Sequence, residues 1–376
     1  MDHRRCRRAC PLAGGSPTAF QRRGYSGGLE RVFMTHCIRW TIVAALICGG
    51  VPNAAAQATQ EADGAFYAGK QITITVGTPA GSSASLYAQA VARHMGRHLS
   101  GTPTVLVQHL PGAGGLSAAN RAFQTMPRDG TALVSTNSVI FLDPLLGGTG
   151  AQFDPQKFTW IGGTHVEHST CVAWHTARVQ NLRDALTHEL LMGSYGASGP
   201  SAVFARAANV LAGTKFKLVT GYAGGPEVMI AMERGEIEGF CAMGWSELKN
   251  RYSAWLTEKK VNILFQMGLE KDEEMPRVPL ISDSAKSPVD RGAFNLLFTP
   301  LEMGRPIYAP PGVPSKQADA LREALRLTLL DPLFLSDAAK MQLDIRHVSA
   351  PALQKLVEQI YQAPRDVVER ASASRN

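Results

Sequence analysis

The sequence predicts an α/β protein of two lobes, a clamshell with a ligand cleft between them. Three observations carry this. Strand-like runs alternate with stretches of helical periodicity, the pattern of a parallel sheet covered by helices. The alternation occurs twice, and in each unit a loop of small residues follows the first strand. About 320 residues remain once an export leader is set aside, more than one simple core accommodates.

The leader comes first along the chain. Met34 begins a segment with Arg39, an apolar run from Trp40 to Cys48, helix-breaking Gly49-Gly50 and Pro52, and then Ala54-Ala55-Ala56. This is the pattern of a signal peptide over residues 34–56, cleaved near Ala56 before Gln57. The apolar run is shorter than the roughly 20 residues that a membrane span requires. Ile47 rather than a small residue precedes Cys48, which argues against a lipoprotein anchor. Residues 1–33 are rich in Arg and Gly and read as a mis-assigned or disordered leader upstream of the true start. Arg22-Arg23 lies too far from the apolar run to serve as a twin-arginine signal.

The leader also explains the charge. The formal net charge is +7, but eight arginines and only two acids fall in residues 1–56. The rest keeps 30 of the 38 basic and 29 of the 31 acidic residues, so neither a nucleic-acid nor a membrane-surface patch is implied. Four of the six cysteines are likewise in the leader. Cys171 and Cys241 remain, an even pair in an oxidising compartment, and either a disulfide or two small buried hydrophobes would account for them.

Gln71 to Val76 alternates with period two, a strand signal, and runs into the small-residue loop Gly77-Thr-Pro-Ala-Gly-Ser-Ser-Ala84. Residues 85–99 then place Leu86, Ala90, Val91 and Met95 on one helical face. A strand over residues 104–109 feeds the turn Pro111-Gly-Ala-Gly-Gly115 and a helix through about Gln124, and residues 131–134 form the next strand. The second unit repeats this order. Leu190 to Met192 leads into Gly193-Ser-Tyr-Gly-Ala-Ser-Gly-Pro-Ser201, with a helix over 203–211, a strand over 217–220, and a helix over 227–234. Strands over 237–243 and 261–266 follow. The C-terminal part is helical over 315–330, opened by Pro314 and capped by Ser315, then over 332–341 and 350–369.

Motifs for chemistry are weak by comparison. Gly112-x-Gly114 has Ser117 where a dinucleotide fingerprint needs a third glycine, and no Gly-Lys-Ser/Thr exists for a phosphate loop. Gly196-Ala-Ser198-Gly-Pro200 resembles a nucleophile elbow except that Pro200 replaces the closing glycine; His347 alone among histidines follows it in sequence. His165-Val-Glu-His168, with Cys171 and His175, matches no zinc spacing, and its histidines read as surface residues beside a core strand. The two small-residue loops, residues 78–85 and 194–201, offer hydroxyls and bare amides at helix N-termini. That chemistry suits an oxyanion.

These residues also carry a family resemblance. Thr78-Pro-Ala-Gly81, Pro111-Gly-Ala-Gly-Gly115, Pro127-Arg-Asp-Gly-Thr131 and Val219-Thr-Gly-Tyr-Ala-Gly-Gly225 occur in order. Met232-Glu-Arg-Gly-Glu-Ile-Glu-Gly239, Pro276-Arg-Val-Pro279 and Ala309-Pro-Pro-Gly-Val-Pro314 complete the set. From about Tyr67 to Arg365 the chain resembles the Bug-type substrate-binding receptors of tripartite tricarboxylate transporters.

The resemblance implies a type-II periplasmic-binding-protein fold, with residues 66–170 plus 270–376 as lobe 1 and 171–269 as lobe 2. It implies a periplasmic, non-enzymatic monomer that captures a small organic acid for membrane permease subunits, with no cofactor, metal or nucleic acid. Ligand contacts are expected from Thr78, Ala80, Gly81, Ser82, Ser83 and Ser85 in the first loop, and from Asn137. They are expected also from Tyr195, Gly196, Ala197, Ser198 and Ser201 in the second loop, with Tyr222 and Gly224 nearby. Ser85 stands where the family usually has an acid, Ser82 where it has a further glycine, and Pro200 where relatives are often polar or small; loss of the acid favours a different ligand over a receptor that has lost binding. A secreted serine hydrolase using Ser198 and a ligand-sensing subunit are the alternatives.

Overall fold

The structure, a computed structural model, describes residues 66–374. The expected leader and signal peptide lie outside the described residues. Among the described residues eleven strands form two sheets. The first contains β1 (Gln71–Val76), β2 (Thr104–His109), β3 (Ala132–Ser135), β4 (Thr159–Gly163), β10 (Pro306–Ala309) and β11 (Val348–Ser349), in the spatial order β11-β4-β10-β3-β1-β2. The second contains β5 (Ser169–Trp174), β6 (Leu190–Gly193), β7 (Phe216–Val219), β8 (Gly239–Gly244) and β9 (Val261–Met267), in the order β7-β6-β8-β5-β9.

Among the described residues twelve α-helices cover them. Those following the first strands are α1 (Ser83–Met95) and α2 (Leu116–Gln124). Those within the second unit are α3 (Leu182–Thr187), α4 (Pro200–Ala207), α5 (Gly225–Glu233), α6 (Trp245–Asn250) and α7 (Ser253–Thr257). The last five are α8 (Pro288–Phe298), α9 (Ser315–Leu330), α10 (Pro332–Lys340), α11 (Ala350–Tyr361) and α12 (Arg365–Ala373). Among the described residues no helix is long and apolar enough to cross a membrane.

The alternating strand 71–76 buries Ile72, Ile74 and Val76 because β1 is central, paired in parallel with β2 on one side and β3 on the other. Two expectations shift for local reasons. Ser315 is the first helical residue rather than the cap, a position taken by Pro314. The single helix expected over 350–369 is two, because Pro364 lacks the N–H that would continue α11 and instead sits at the N-cap of α12. The helix α8 carries no clear periodic signal in sequence; its Phe294, Leu297 and Phe298 fill the core under the second sheet. β5 pairs along its length with β8 and β9, so the strand straddles the boundary expected at residue 170, and Ile281, Phe294 and Leu301 join the second core although the first lobe was expected to hold them.

The two sheets are joined where residues 164–168 leave β4 and residues 301–305 return to β10. There Thr164 N donates to Arg305 O (3.3 Å). Gly304 has φ +57, and a Cβ on it would collide with the His165 carbonyl, so the crossing admits no side chain.

Cys171 and Cys241 face each other on β5 and β8, with Cα atoms 4.0 Å apart, and form a disulfide buried in the second core. It closes a loop with a sequence separation of 70. Chain entropy then assigns it about 4 kcal/mol of stabilisation. The chain, denatured without reductant, is expected to yield no free thiol from Cys171 or Cys241 to alkylation and mass spectrometry. The double substitution Cys171→Ala/Cys241→Ala is expected to lower the denaturation free energy by about that amount.

Candidate functional site

Strand order decides where a ligand can sit. In the first sheet β1 lies between β2 and β3, so the chains leaving the carboxyl ends of β1 and β3 diverge and leave a crevice. In the second sheet β6 lies between β7 and β8 in the same way. The two crevices face one another and enclose a cavity of about 100 Å³. Thr78, Pro79, Ser82, Ser83 and Ala84 after β1, and Asn137, Ser138 and Val139 after β3, line one side. Tyr195 after β6, Gly244 at the end of β8, and Gly224, Gly225 and Pro226 at the start of α5 line the other. Phe204, Met229, Phe240 and Leu301 make much of the remaining wall apolar.

Ser82 caps α1: its hydroxyl accepts from Ser85 N (3.3 Å) and donates to Pro79 O (2.7 Å), and Thr78 Oγ1 lies 2.6 Å from it. Because Ser85 N and Leu86 N are occupied by Ser82, the N–H groups of Ser83 and Ala84 are left as the first-turn donors without an intrahelical partner. These two residues border the cavity.

The back wall is charged, and it comes from the crossing segments. Glu167 is buried, at 4% side-chain exposure, and its carboxylate accepts from Ser246 Oγ (2.9 Å) and Ser246 N (3.4 Å). It also lies 3.2 Å from His165 Nε2 and 3.4 Å from Arg305 Nη2. Burial opposes its charge, but His165, Arg305 and Ser246 outweigh that and hold the carboxyl below its ordinary range. Arg305 donates through Nε and Nη2 to Ser83 Oγ (3.2 and 3.1 Å), which sets the guanidinium beside the first turn of α1. Glu247 also faces the cavity. Its Oε1 accepts from Arg251 Nη1 (2.8 Å), yet burial pushes its carboxyl up by more than Arg251 and Arg305 pull it down. Burial likewise pushes the Tyr195 phenol up to about 12, so it remains a neutral hydroxyl.

Of the residues expected at the site, Thr78, Ser82, Ser83, Asn137, Tyr195 and Gly224 border this cavity. Ser85 is buried behind it, bonded to His109 Nε2 (2.8 Å) and Gln89 Nε2 (2.9 Å). Ala80 and Gly81 are exposed at the outer edge of the loop. Ser201 is buried and accepts from Tyr195 N (3.2 Å), shaping the second loop from within. Ala197 is exposed, and its carbonyl accepts from Arg206 (3.2 Å). Ser198 donates to Asp143 Oδ1 (2.8 Å), a carboxylate rather than an imidazole, while His347 packs against Gly162 of β4. Gly196 and Tyr222 border a neighbouring cavity with Pro111 and Gly114.

His165 is buried, which corrects its reading as a surface residue: Tyr87 stacks on its ring at 5.5 Å, and Glu167 and Ser246 take its Nε2. Among the described residues no group of three or more His, Cys, Asp or Glu side chains is placed to hold a metal. Sequence reasoning missed Glu167, Glu247 and Arg305 as cavity residues. Glu167 was visible within His165-Val-Glu-His168 but weighed only as part of a metal pattern; the other two lie in segments with no local signal.

The turn Pro111-Gly-Ala-Gly-Gly115 has a structural use of its own. Gly114 lies against the second lobe's turn: a Cβ on it would stand 2.7 Å from Gly199 N, and a Cβ on Gly196 would stand 2.5 Å from Gly114 N. Both glycines have positive φ. The two lobes therefore meet backbone to backbone at a seam where any side chain would hold them apart. Asn137 Nδ2 donates to Gly114 O and ties this seam to the cavity.

Solved proteins share this architecture. The periplasmic binding protein BugD matches with a TM-score of 0.63 at 19% identity, over 78% of this chain and 95% of its own. MatC from Rhodopseudomonas palustris, solved with bound malate, matches with a TM-score of 0.63 at 19% identity, over 80% of this chain and 99% of its own. A second R. palustris protein, solved with adipate, matches at 0.62 and 15%, over 80% and 97%. No family model and no curated protein matches the chain. At these identities the likeness is one of fold, the two-lobed α/β fold of periplasmic binding proteins that the resemblance to Bug-type receptors implied.

Two outcomes follow from this geometry. Gly114→Val is expected to keep the lobes apart, with a larger radius of gyration by small-angle scattering and ligand affinity about tenfold lower or worse. Glu167→Gln is expected to cost on the order of 3 kcal/mol at pH 7, because it leaves Arg305 without its counter-charge. Since the folded-state carboxyl lies below its ordinary value of 4.5, the native advantage is full above that pH. It is expected to vanish as the pH falls through the depressed value, so denaturation curves of the two proteins should converge in acid.

Proposed function

We propose that this chain is a Bug-type solute receptor, exported to the periplasm, that captures a small carboxylated organic solute for the permease subunits of a tripartite tricarboxylate-type transporter. The observation that carries this reading is the placement of the Arg305 guanidinium beside the unpaired first-turn amides of α1, on the wall of a cavity between two lobes. A carboxylate there would take charge-assisted hydrogen bonds out of bulk water, where they are strongest. Lobe closure over the solute would then give the permease a distinct surface to recognise. BugD and MatC lend the reading an analogy of fold, and the malate of MatC one of ligand size and charge.

Binding without catalysis is the reading that suits the polar groups in hand. The one serine in an elbow-like sequence, Ser198, donates its hydroxyl hydrogen bond to Asp143 Oδ1 and borders no part of the cavity. Isothermal titration of the chain from residue 57 with carboxylic acids of two to seven carbons tests the proposal. At least one acid is expected to saturate one site per chain, and Arg305→Ala is expected to weaken it at least about tenfold, the worth of one charge-assisted hydrogen bond. A folded protein silent to the whole set, or an Arg305→Ala variant with unchanged affinity, defeats it.

A further inference from the structure

We infer that the Cys171–Cys241 disulfide locks the register of β8 and thereby positions one wall of the solute cavity. The inference rests on the receptor reading for its ligand and goes beyond it in giving the bond a part in affinity.

β5 and β8 pair with one residue too many on β8. Thr170 faces Met243 and Cys171 faces Cys241, so Ala242 is the extra residue of a β-bulge. It sits at φ +78, a left-handed conformation that alanine adopts only at a cost. The bulge is tied on both sides. On one side is the disulfide; on the other, Thr170 Oγ1 donates to Met243 O (2.9 Å). β9 also steps by one residue here, between Cys171 and Val172, so Cys171 is where both neighbours of β5 change register.

The bulge decides which side chains reach the cavity. Phe240 and Met243 are three apart, yet both pack in the core with Val172 and Met229; a regular strand would send them to opposite faces. Cys171, Ala173 and Cys241 lie in the other core. Phe240, Ala242 and Gly244 border the cavity, and Tyr195 packs on Phe240 with ring centroids 6.2 Å apart. Were the bulge expelled, Val172 would face Cys241 and Ala173 would face Phe240, which turns Phe240 to the other face and off the wall. Only the bulged register brings the two sulfurs together, so the bond, once made, forbids that slip. Without it, the strained φ at Ala242 favours expelling the bulge, and only packing and the Thr170 hydroxyl oppose this.

The test is isothermal titration of the chain from residue 57 with carboxylic acids of two to seven carbons, well below the melting temperature of each variant. For an acid that binds, Cys171→Ala/Cys241→Ala is expected to weaken affinity at least about fivefold, because only the fraction in the bulged register binds. Glycine takes the left-handed conformation freely and holds the bulge unaided. In an Ala242→Gly background, losing both cysteines is therefore expected to weaken affinity less than about twofold. A bond that only stabilises would lower the melting temperature and leave affinity unchanged. That result overturns the inference and leaves the receptor reading standing, as does an equal loss in the two backgrounds. Silence toward every acid defeats the receptor reading, and hydrogen exchange then decides the lock. Amides of residues 239–244 are expected to exchange at least about tenfold faster without the disulfide, and unchanged protection overturns the inference. Where the cysteine-free chain lacks a cooperative melting transition, Thr170→Val removes the other tie alone. Weaker binding or faster exchange at residues 239–244 then supports the lock, and no change in either overturns it.

Discussion

The carboxylate of Glu167 is the interaction on which the site depends. It is buried where the chain crosses between the two sheets, and every partner it has comes from a different part of the molecule. His165 belongs to the outgoing segment, Ser246 to the start of α6 on the second sheet, and Arg305 to the returning segment. Through Arg305 the network reaches Ser83 and the first turn of α1. A buried charge without such partners would be costly, so these groups must arrive together. Their arrival fixes the guanidinium at the cavity wall and the crossing segments beside each other at Gly304.

That anchoring divides the labour among the loops. Small residues allow close backbone approach, but here they do so for two separate ends. Ser82 and Thr78 organise the N-terminus of α1, which borders the cavity. Gly114, Gly196 and Gly199 instead form the seam where the lobes touch. The same composition thus serves a binding surface in one place and a closing surface in another. Side chains from distant segments, Arg305 and Glu247 above all, then give the cavity its electrical character.

Much of the fold is legible in the residues. The period-two run at 71–76, the helix over 315–330 and the paired small-residue loops sit where the structure has them, because these are local signals. The loop after β1 and Tyr195 after β6 do border the cavity, since a loop at the carboxyl end of an inner parallel strand has few other places to point. Ser85 and Ser201 were legible as loop residues but not as buried ones, because their partners, His109 and the Tyr195 amide, depend on which strand lies alongside. The helix α8 was missed for a similar reason. Its core is supplied by elements far away in sequence.

By itself the sequence determined the alternation of strands and helices, the two small-residue loops, the spare pair of cysteines and the separation of a basic leader from a near-neutral body. These follow from local periodicity and composition, which need no knowledge of neighbours. Tertiary structure decided the strand order, hence which loops open toward the cleft, the joining of Cys171 to Cys241, and the seam at Gly114. It also decided the charges at the cavity. Glu167 and Arg305 are 138 residues apart, and no periodicity relates them; they meet because two crossing segments run side by side, and a buried carboxylate is stable there only with its counter-charge in reach.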